Sequence, residues 1–370
     1  MEIPFFDYKG FCKDINYNKL LDEVLESGYM IGGPFIEQVE ENIQKITGIR
    51  HCICVGNATD AMEIIFDFLC LPYNSNVLVP THTMLATASA AKKSNLNPVP
   101  VDVDTTSLML EINELKKCDL TNVSACMITQ LNGVVANMDP IKEFCDKNKI
   151  QLIEDSAQAI GSFNNDKHAG NWGIGGCLSF YPAKIVGCLG DGGAIITNNG
   201  NLAKFAKSVR DHGRGESLEG VNWGRNSRLD SLNARIILER LNNLDYLIES
   251  RRNLANIYYE KLQQLQDRNL VKLPPKYSTN SYSLSTYQNF EIQAKSRDNL
   301  MKFLRENNVG TIKQWGGFSI AHFSRLGFDI NNYPVTNDLF QKLLLLPLNH
   351  MMKEEEIKHV SDLIVAFYQD

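Results

Sequence analysis

One lysine and one aspartate near the middle of the chain have the residue types and surroundings of a covalent catalytic site. Lys184 ends the segment Cys177-Leu-Ser-Phe-Tyr-Pro-Ala-Lys184 within a glycine-rich region, and Asp155 ends an apolar run upstream, with Gln158 three residues further on. A lysine amine can hold an aldehyde cofactor covalently, and a buried carboxylate can keep a pyridine nitrogen protonated. The pairing indicates a pyridoxal phosphate site with Lys184 and Asp155 as catalytic residues.

Both residues also have a plain structural explanation. Lys184 could be a solvated loop lysine, and Asp155 could form a salt bridge or cap a helix. A catalytic lysine must spend part of its cycle as a free amine, so its pKa has to fall through burial or a neighbouring cation. The apolar residues Phe180-Tyr-Pro-Ala183 next to Lys184 offer such a setting.

Two glycine-containing segments lie near the predicted site, and one of them could hold the cofactor's phosphate group. Gly56-Asn-Ala-Thr-Asp-Ala61 joins a predicted strand to a helix that we expect to begin near Asp60, and free N–H groups at a helix N-terminus bind phosphate. Taken alone, Thr59 or Asp60 would be an ordinary N-cap. Gly190-Asp-Gly-Gly193 lacks the G-x-G-x-x-G spacing and precedes a strand, so it predicts a tight turn near the lysine loop.

Three segments together resemble the signature of the DegT/DnrJ/EryC1/StrS family of nucleotide-sugar aminotransferases. They are Ile153-Glu-Asp-Ser-Ala-Gln-Ala159, Ser179-Phe-Tyr-Pro-Ala-Lys184 and Gly190-Asp-Gly-Gly-Ala194. The resemblance extends from Gly28-Tyr-Met-Ile-Gly-Gly-Pro34 to Leu345-Leu-Pro-Leu348. It therefore covers nearly the whole chain.

The resemblance implies an α/β protein with the fold of the type I pyridoxal phosphate enzymes. It implies amino transfer from glutamate to a nucleotide-linked ketosugar, with pyridoxamine phosphate formed during turnover. On the matching positions, the backbone of Ala58 and Thr59 and the hydroxyl of Ser179 would bind the phosphate. Gln158 would contact the ring hydroxyl of the cofactor.

The segment Gly224-Arg-Asn-Ser-Arg228 resembles a family motif whose asparagine reaches into the site of the partner subunit. The resemblance therefore implies a homodimer with shared active sites, in which Asn226 binds the partner's cofactor. Arg228 could hold a substrate carboxylate or pyrophosphate through its planar guanidinium. Without the resemblance, these residues would be a polar loop before a helix capped by Ser227 or Asp230.

Met84 stands where the family usually places an aromatic ring over the cofactor. A thioether can pack against a ring, and His82 is the alternative. Further along, the resemblance places Lys313, Trp315 and His322 in the wall of the nucleotide-sugar pocket. Trp315 could equally be a core residue.

The substrate is predicted less directly than the reaction. The region Gln314-Trp-Gly-Gly317 looks like that of family members acting on C-4 of dTDP-4-keto-6-deoxyglucose, in the biosynthesis of O-antigen or related glycans. The alternatives are amination at C-3, a sugar dehydratase and a non-enzymatic regulator. Lys184 argues against the dehydratase branch, which has histidine there, and the intact cofactor motifs argue against a regulator.

Composition excludes several other classes of protein. The 370 residues carry a net charge of −6 and show no clustered basic patch, which argues against nucleic acid as a partner. No apolar run approaches the length of a membrane span and the first residues lack the features of a signal peptide, so we expect a cytoplasmic enzyme. The nine scattered cysteines match neither a metal site nor a redox motif, which predicts reduced and mostly buried thiols.

Short β-rich runs alternate with helical patterns along the chain. This alternation predicts a mainly parallel sheet covered by helices, which must position the residues named above. Catalytic residues in such sheets lie at the carboxyl ends of strands, where Thr59, Asp155 and Lys184 fall. We expect a large cofactor-binding domain over residues 1–245 and a smaller α+β domain over 246–370. The predicted strands are 52–55, 76–79, 98–101, 125–128, 151–154, 177–180, 193–197 and 286–292, the predicted helices are 229–265, 297–307 and 354–367, and 273–282 is a predicted loop.

Overall fold

A seven-stranded sheet forms the centre of the first two thirds of the chain. The structure is a computed structural model that describes residues 1–215, 219–276 and 284–369. The strands of the described residues are β1 (His51–Val55), β2 (Asn76–Pro80), β3 (Asn97–Val101), β4 (Val123–Thr129), β5 (Gln151–Asp155), β6 (Phe163–Asn164), β7 (Lys167–His168), β8 (Gly176–Ser179), β9 (Gly193–Thr197), β10 (Val271–Lys272), β11 (Phe290–Ala294) and β12 (Leu343–Leu346).

The large sheet is mainly parallel, as the alternating pattern predicts. Its strand order is β1-β9-β8-β5-β4-β2-β3. β9 runs antiparallel to both of its neighbours, β1 and β8. The other adjacent pairs are parallel, so β2, β4, β5 and β8 all end at the same edge of the sheet.

Helices cover both faces of this sheet. The side chains of β4 alternate between two cores. Ala125 and Met127 pack with residues of the helices over 58–69 and 85–93, whereas Cys126 and Ile128 pack with residues of the helix over 138–147. The helices are α1 (Tyr8–Phe11), α2 (Tyr17–Ser27), α3 (Pro34–Thr47), α4 (Ala58–Leu69), α5 (Leu85–Lys93), α6 (Ile112–Leu115), α7 (Met138–Lys147), α8 (Gly200–Val209), α9 (Ser231–Asn242), α10 (Leu244–Asp267), α11 (Arg297–Glu306), α12 (Pro334–Phe340) and α13 (Glu354–Phe367).

A second, smaller sheet lies in the C-terminal part of the chain. β10, β11 and β12 form an antiparallel sheet, and α10, α11 and α13 share one hydrophobic core with it. The rings of Tyr258 and Phe290 pack there with centroids 4.8 Å apart. Ile3 joins the same core and pairs with Val309, so the start of the chain packs against its end.

Several predicted boundaries shift in the structure. The predicted strand 286–292 is wrong at its start, because β11 begins at Phe290 and Thr286 donates its backbone N–H to Gly133 O (3.0 Å), outside the sheet. The helical stretch 229–265 is two helices that meet at Asn243. The predicted loop 273–282 lies partly outside the described residues. The domain boundary at 245/246 stays a prediction, and α10 crosses it.

Two further predictions concern the whole chain. The nine cysteines form no disulfide with one another and six of them are buried, as the sequence predicts. Among the described helices, none combines the length and apolar character that a membrane crossing requires.

Candidate active site

The carboxyl ends of the parallel strands border a cavity of about 390 Å³, which we call the strand-end cavity. Asp155 ends β5, Thr129 ends β4 and Ser179 ends β8, and all three line the cavity. The cavity brings together eight of the residues predicted from the sequence: Ala58, Thr59, Met84, Asp155, Gln158, Ser179, Lys184 and Trp315.

Lys184 has the electrostatic character expected of a lysine that must act as a free amine. It is half-buried, and burial lowers the pKa of its ammonium group from 10.5 to about 8. Asp155 opposes this shift, since its negative charge favours the protonated amine. Roughly a tenth of such an amine is uncharged at pH 7, compared with far less than a hundredth of an ordinary lysine.

The Asp155 carboxylate is 5% exposed and is held from three directions. Thr87 Oγ1 donates to Oδ2 at 2.7 Å, and the Ala157 N–H donates to Oδ1 at 3.2 Å. Cys177 Sγ lies 3.4 Å from Oδ1 as a third donor, because burial raises the pKa of that thiol and keeps it protonated. These three donors fix the orientation of the buried carboxylate.

A chain of threonine hydroxyls continues from this carboxylate. Thr83 Oγ1 lies 2.7 Å from Thr87 Oγ1 and 2.8 Å from Thr129 Oγ1. A carboxylate oxygen only accepts, so the single hydroxyl proton of Thr87 points to Asp155. Thr83 must then donate to Thr87, and Thr129 to Thr83, which directs the whole chain of hydrogen bonds toward Asp155.

The neighbouring acid, Glu154, has a structural role instead. Side chains alternate along β5, so Glu154 points to the opposite face from Asp155. Its oxygens accept from Gln130 Nε2 (2.7 Å) and from the backbone N–H groups of Gly170 (2.8 Å), Trp172 (2.7 Å) and Gly173 (3.0 Å). The Glu154 carboxylate thereby holds the backbone of the loop that leads into β8.

Among the described residues, Gln158 has a hydrogen-bond partner at one end of its amide. Its Oε1 accepts the backbone N–H of Asn132 at 2.8 Å. The Nε2 group, with its two hydrogens, is therefore the end that can donate to a ligand oxygen in the strand-end cavity. This is the polarity that contact with a ring hydroxyl would need.

The N-terminus of α4 opens into the same cavity. The helix begins at Ala58, two residues before the predicted start near Asp60. Its N-cap is Asn57, whose side chain accepts the Asp60 N–H at 2.8 Å, so neither Thr59 nor Asp60 is the ordinary N-cap that the alternative explanation required. Asn57, Ala58 and Thr59 line the cavity. Since the first N–H groups of a helix have no partner within it, they can bind an anion there.

Gly193 allows two loops to approach each other beside this helix start. A Cβ atom at Gly193 would lie 2.4 Å from the Asn57 carbonyl carbon and 2.6 Å from Ala58 N. Only glycine fits this contact. The predicted tight turn thus brings the backbone against the start of α4, and Gly192 O also accepts the N–H of Phe180 in the lysine loop (2.8 Å).

Ser227 connects the predicted phosphate-binding turn to the segment that contains Asn226. Its Oγ accepts the Gly56 N–H at 3.0 Å and donates to Asp60 Oδ2 at 2.6 Å. The N-cap of α9 is Asp230, one of the two candidates for that role, and it accepts the Asn233 N–H at 2.8 Å. Ser227 therefore supports the start of α4 instead of capping α9.

Met84, and not His82, faces the strand-end cavity. Met84 is 49% exposed and lines it, whereas His82 is 1% exposed and is not among the described lining residues. The Nδ1 atom of His82 lies 3.0 Å from Leu108 O, and its ring packs against Trp315 at 5.4 Å. His82 thus supports Trp315, whose own ring lines the cavity, and Met84 remains the candidate for packing on the cofactor.

Four predicted residues lie outside the strand-end cavity among the described residues. Asn226 is exposed and its Oδ1 accepts Arg228 Nε at 3.0 Å, and Arg228 also pairs with Asp211 at 3.0 Å. Lys313 pairs with Asp298 at 2.7 Å beside a different cavity. His322 bonds through Nδ1 to Ser319 Oγ (2.8 Å). Their predicted roles in binding stay predictions.

Sequence reasoning did not find several residues that shape the site. The cavity-lining Thr83 and Thr129, together with Thr87, support Asp155, and Asn132 orients Gln158. Position at a strand end could have pointed to Thr129. Nothing in the local sequence distinguishes Thr87 on α5 or Asn132, because their roles arise only when separate elements meet.

The strand-end cavity fits pyridoxal phosphate by the chemistry of its donors. It combines a lysine amine of lowered pKa, a buried carboxylate, an amide with free N–H groups and a helix N-terminus. These groups match, in turn, an aldehyde, a pyridine nitrogen, a ring hydroxyl and a phosphate.

Comparison with known proteins agrees with this arrangement. The model of the DegT/DnrJ/EryC1/StrS aminotransferase family matches residues 12–365. The chain is 30% identical over 375 residues to the pleiotropic regulatory protein of Geobacillus stearothermophilus, covering 100% of this chain and 99% of that protein. It is 28% identical over 354 residues to the dTDP-3-amino-3,4,6-trideoxy-alpha-D-glucose transaminase of Micromonospora megalomicea subsp. nigra, covering 94% of each.

A solved structure extends the likeness to the whole fold. The crystal structure of NtdA from Bacillus subtilis with bound cofactor PMP superimposes with a TM-score of 0.89 at 26% identity. The match covers 100% of this chain and 86% of that one. The likeness therefore includes every strand end that borders the cavity.

Proposed function

Because the chain belongs to the DegT/DnrJ/EryC1/StrS aminotransferase family, we propose that it transfers an amino group from glutamate to a keto group of a nucleotide-linked deoxysugar. It is a sugar aminotransferase with the type I fold and pyridoxal phosphate as its cofactor. The observation that carries the proposal is the meeting, in one cavity, of Lys184 with a pKa of about 8 and the buried carboxylate of Asp155.

Three side chains would bind the ring of the cofactor. Lys184 would hold it through its amine, Asp155 would keep the proton on the pyridine nitrogen, and the Nε2 group of Gln158 would donate to the ring hydroxyl. When bound, pyridoxal phosphate supplies an electron sink that no protein side chain offers. The three donors to Asp155 support its role, because they stabilise the negative charge that holds the ring proton.

The phosphate group would lie at the start of α4. The backbone N–H groups of Ala58 and Thr59 and the hydroxyl of Ser179 are available there. Ser179 Oγ accepts only a long bond, at 3.4 Å, from the Tyr181 N–H, which leaves its own proton free to bind an anion.

Lys184 would also move the proton during amino transfer. Its amine would accept a proton from the carbon of glutamate and donate it to a carbon of the cofactor, and it would move a proton in the opposite direction when the ketosugar is aminated. Burial supports this role, since a pKa of about 8 leaves part of the amine uncharged at neutral pH. Glutamate and the ketosugar would enter the same cavity in turn.

We further propose a homodimer in which Asn226 completes the partner's site. Asn226 is exposed and lies outside the strand-end cavity of its own chain. Trp223, three residues earlier, is 100% exposed, and an exposed tryptophan is typical of an interaction surface.

Mixing inactive variants tests this arrangement. Lys184→Ala and Asn226→Ala chains, each impaired alone, should recover activity after subunit exchange, because one site of the mixed dimer then combines both intact residues. Lys184→Ala mixed with Asp155→Asn is the control and should recover nothing, since both residues act in the same chain. If the first mixture also recovers nothing despite demonstrated exchange, Asn226 acts within its own chain.

The position of amination is the finer part of the proposal. The Gln314–Gly317 segment supports C-4 of dTDP-4-keto-6-deoxyglucose, in O-antigen or related glycan biosynthesis in the cytoplasm. C-3 is the second candidate, because the Micromonospora relative is named for a 3-amino sugar. The relative named as a regulatory protein keeps a regulator as an alternative, which intact catalytic motifs argue against.

One set of measurements tests the reaction itself. The holoenzyme should absorb in the visible, and glutamate alone should bleach that band with release of 2-oxoglutarate. A panel of dTDP- and UDP-linked 3-keto and 4-keto sugars, with product analysis by mass spectrometry and NMR, should then identify one aminated carbon. A cofactor band that glutamate leaves unchanged would contradict amino transfer from this donor and favour a binding protein.

A further inference from the structure

Gln288 binds the backbone on both sides of Lys184. Its Oε1 accepts the Ile185 N–H at 3.0 Å, and its Nε2 donates to Ala183 O at 3.0 Å. Gln288 is 7% exposed and Ile185 is 1% exposed, so water cannot readily replace these bonds. One side-chain amide thus spans the lysine residue that lies between its two partners.

This pair of bonds restricts the backbone of Lys184. Fixing the C=O before a residue and the N–H after it limits both of that residue's torsion angles, as a neighbouring strand does in a sheet. The Lys184 N–H is also fixed, since it donates to Tyr181 O at 2.8 Å. The direction of the lysine side chain from its Cα atom is therefore set by these three bonds.

A buried arginine holds Gln288 in turn. Arg251 on α10 is 1% exposed, and its Nη1 group donates to Gln288 O (3.2 Å), Tyr287 O (3.1 Å) and Leu348 O (2.9 Å). Burial lowers the pKa of this guanidinium to about 10, and its bonding partners in the described chain are carbonyl groups and not a carboxylate. The segment that carries Gln288 is thus anchored to α10 and to the end of β12.

The same segment also reaches the other side of the strand-end cavity. Asn289 Nδ2 donates to Asn132 Oδ1 at 2.8 Å, and Asn132 N–H holds the Gln158 amide at 2.8 Å. Consecutive residues, Gln288 and Asn289, therefore contact the supports of two predicted cofactor ligands, Lys184 and Gln158.

We propose that Gln288 is a positioning residue for the amino-transfer reaction, fixing the backbone of Lys184 so that its amine reaches both the cofactor and the transferred proton. The inference rests on the proposed role of Lys184 and deepens it. A displacement of about 1 Å at a reacting group can cost about 100-fold in rate, so the geometry of this loop affects turnover directly.

Gln288→Met tests the proposal, because methionine keeps the length of the side chain and removes both hydrogen bonds. Gln293→Met is the matched control: Gln293 is a half-buried glutamine on β11, the strand that Gln288 precedes. Tyr258→Phe controls for lost stability, since it removes one buried bond, to Pro347 O (2.9 Å), within the C-terminal core.

We expect Gln288→Met to lower kcat about 10- to 100-fold with KM for glutamate within about threefold of wild type. In the apoenzyme, the pH midpoint for acetylation of Lys184 by acetic anhydride, followed by mass spectrometry, should rise from about 8 by at least about one unit as water enters the loosened loop. Gln293→Met and Tyr258→Phe should match wild type in both measurements.

The outcomes separate this inference from the proposed function. If borohydride attaches the cofactor to Lys184 in the wild type and Gln288→Met equals its controls in kcat and labelling midpoint, Gln288 is a structural anchor only and the inference is wrong. If the wild type yields no adduct on Lys184, the proposed role of Lys184 fails first. Should Gln288→Met not fold, Gln288→Asn, whose shorter amide cannot span both partners, must show the same loss of kcat for the inference to stand.

Discussion

The two groups of predicted site residues differ in what holds them in place. Asp155 and Lys184 lie in one cavity, and each is fixed by bonds to residues of its own chain. Asn226 and Arg228 lie on the surface, paired with each other and with Asp211, outside that cavity. The comparison indicates that Lys184 and Asp155 meet within one chain, whereas the role proposed for Asn226 requires a second chain.

Replacing Lys184, the proposed catalytic lysine, should have the largest effect of the predicted substitutions. We expect Lys184→Ala to lower kcat by at least about 10,000-fold, because both the cofactor bond and the proton carrier are lost. Lys358→Ala, at an exposed lysine paired with Glu354 on α13, should stay within about twofold. Steady-state rates of 2-oxoglutarate release measure both variants. Substantial turnover by Lys184→Ala would show that another group moves the proton.

Asp155→Asn should have the next largest effect. The amide keeps a polar contact but removes the charge that holds the ring proton, so we expect cofactor retention with kcat lowered by about 100-fold or more. It should also lower the pKa of Lys184 further, since the Asp155 charge raises it in the wild type. Turnover close to wild type, with cofactor bound, would mean that a different group faces the ring nitrogen.

The threonine chain offers a graded test of the same carboxylate. Thr87→Val keeps the shape of the side chain and removes the 2.7 Å bond to Asp155. A hydrogen bond to a charged group contributes about 1.5–3 kcal/mol, so we expect kcat to fall about 10- to 100-fold while Asp155 stays in place. Thr106→Val, in the exposed loop after β3, is the matched control for the substitution. Equal kcat values in the two variants would show that the Thr87 hydrogen bond to Asp155 does not contribute to turnover.

Replacing Trp315 tests whether this residue contributes to substrate binding and not to the reaction itself. Its ring lines the strand-end cavity and is supported by His82. We expect Trp315→Ala to raise KM for the sugar nucleotide about tenfold with a smaller change in kcat, because packing area is lost and the reacting groups remain. Initial-rate kinetics with varied sugar nucleotide measure this split. A fall in kcat alone would place Trp315 with the reaction centre.

The smallest effect concerns stability and pH in the apoenzyme. The folded-state pKa of Lys184, about 8, lies below its unfolded value of 10.5, so the unfolded chain binds more protons between these pH values. The burial penalty is therefore full below pH 8 and disappears as pH rises toward 10.5. Relative to Lys184→Met, the wild type should gain about 1–3 kcal/mol of unfolding free energy over this range in urea titrations. A flat difference would show that Lys184 is not desolvated.

The part of the fold and site that could be predicted from sequence is the part that local pattern determines. β9 spans residues 193–197, as predicted, because its apolar run is bounded by turn residues on both sides. Asp155 is predicted just beyond the strand 151–154 and ends β5, whereas Ser179 is predicted inside the strand 177–180 and in fact ends β8. The start of α4 is an exception: the sequence predicts it near Asp60, but the helix begins at Ala58 because Asn57 is the N-cap.

What could not be predicted depends on distant segments meeting. Gln288 contacts the lysine loop from more than a hundred residues away. The predicted strand 286–292 begins only at Phe290, and the Thr286 N–H bonds to Gly133 O outside the sheet. The hydroxyl chain behind Asp155 joins α5, β4 and the end of β2. The role of Asn226 in a dimer is predicted by the resemblance of its segment to a family motif and not by the local pattern of residues.

Reductive trapping of the cofactor tests the central claim most directly. The holoenzyme is reduced with borohydride, digested and mapped by mass spectrometry, with Lys184→Ala carried through the same steps as the control. The account predicts one pyridoxyl-modified peptide, carrying the modification on Lys184 and absent from the variant. A modification on any other lysine, or an unmodified Lys184 in an active preparation, would contradict it.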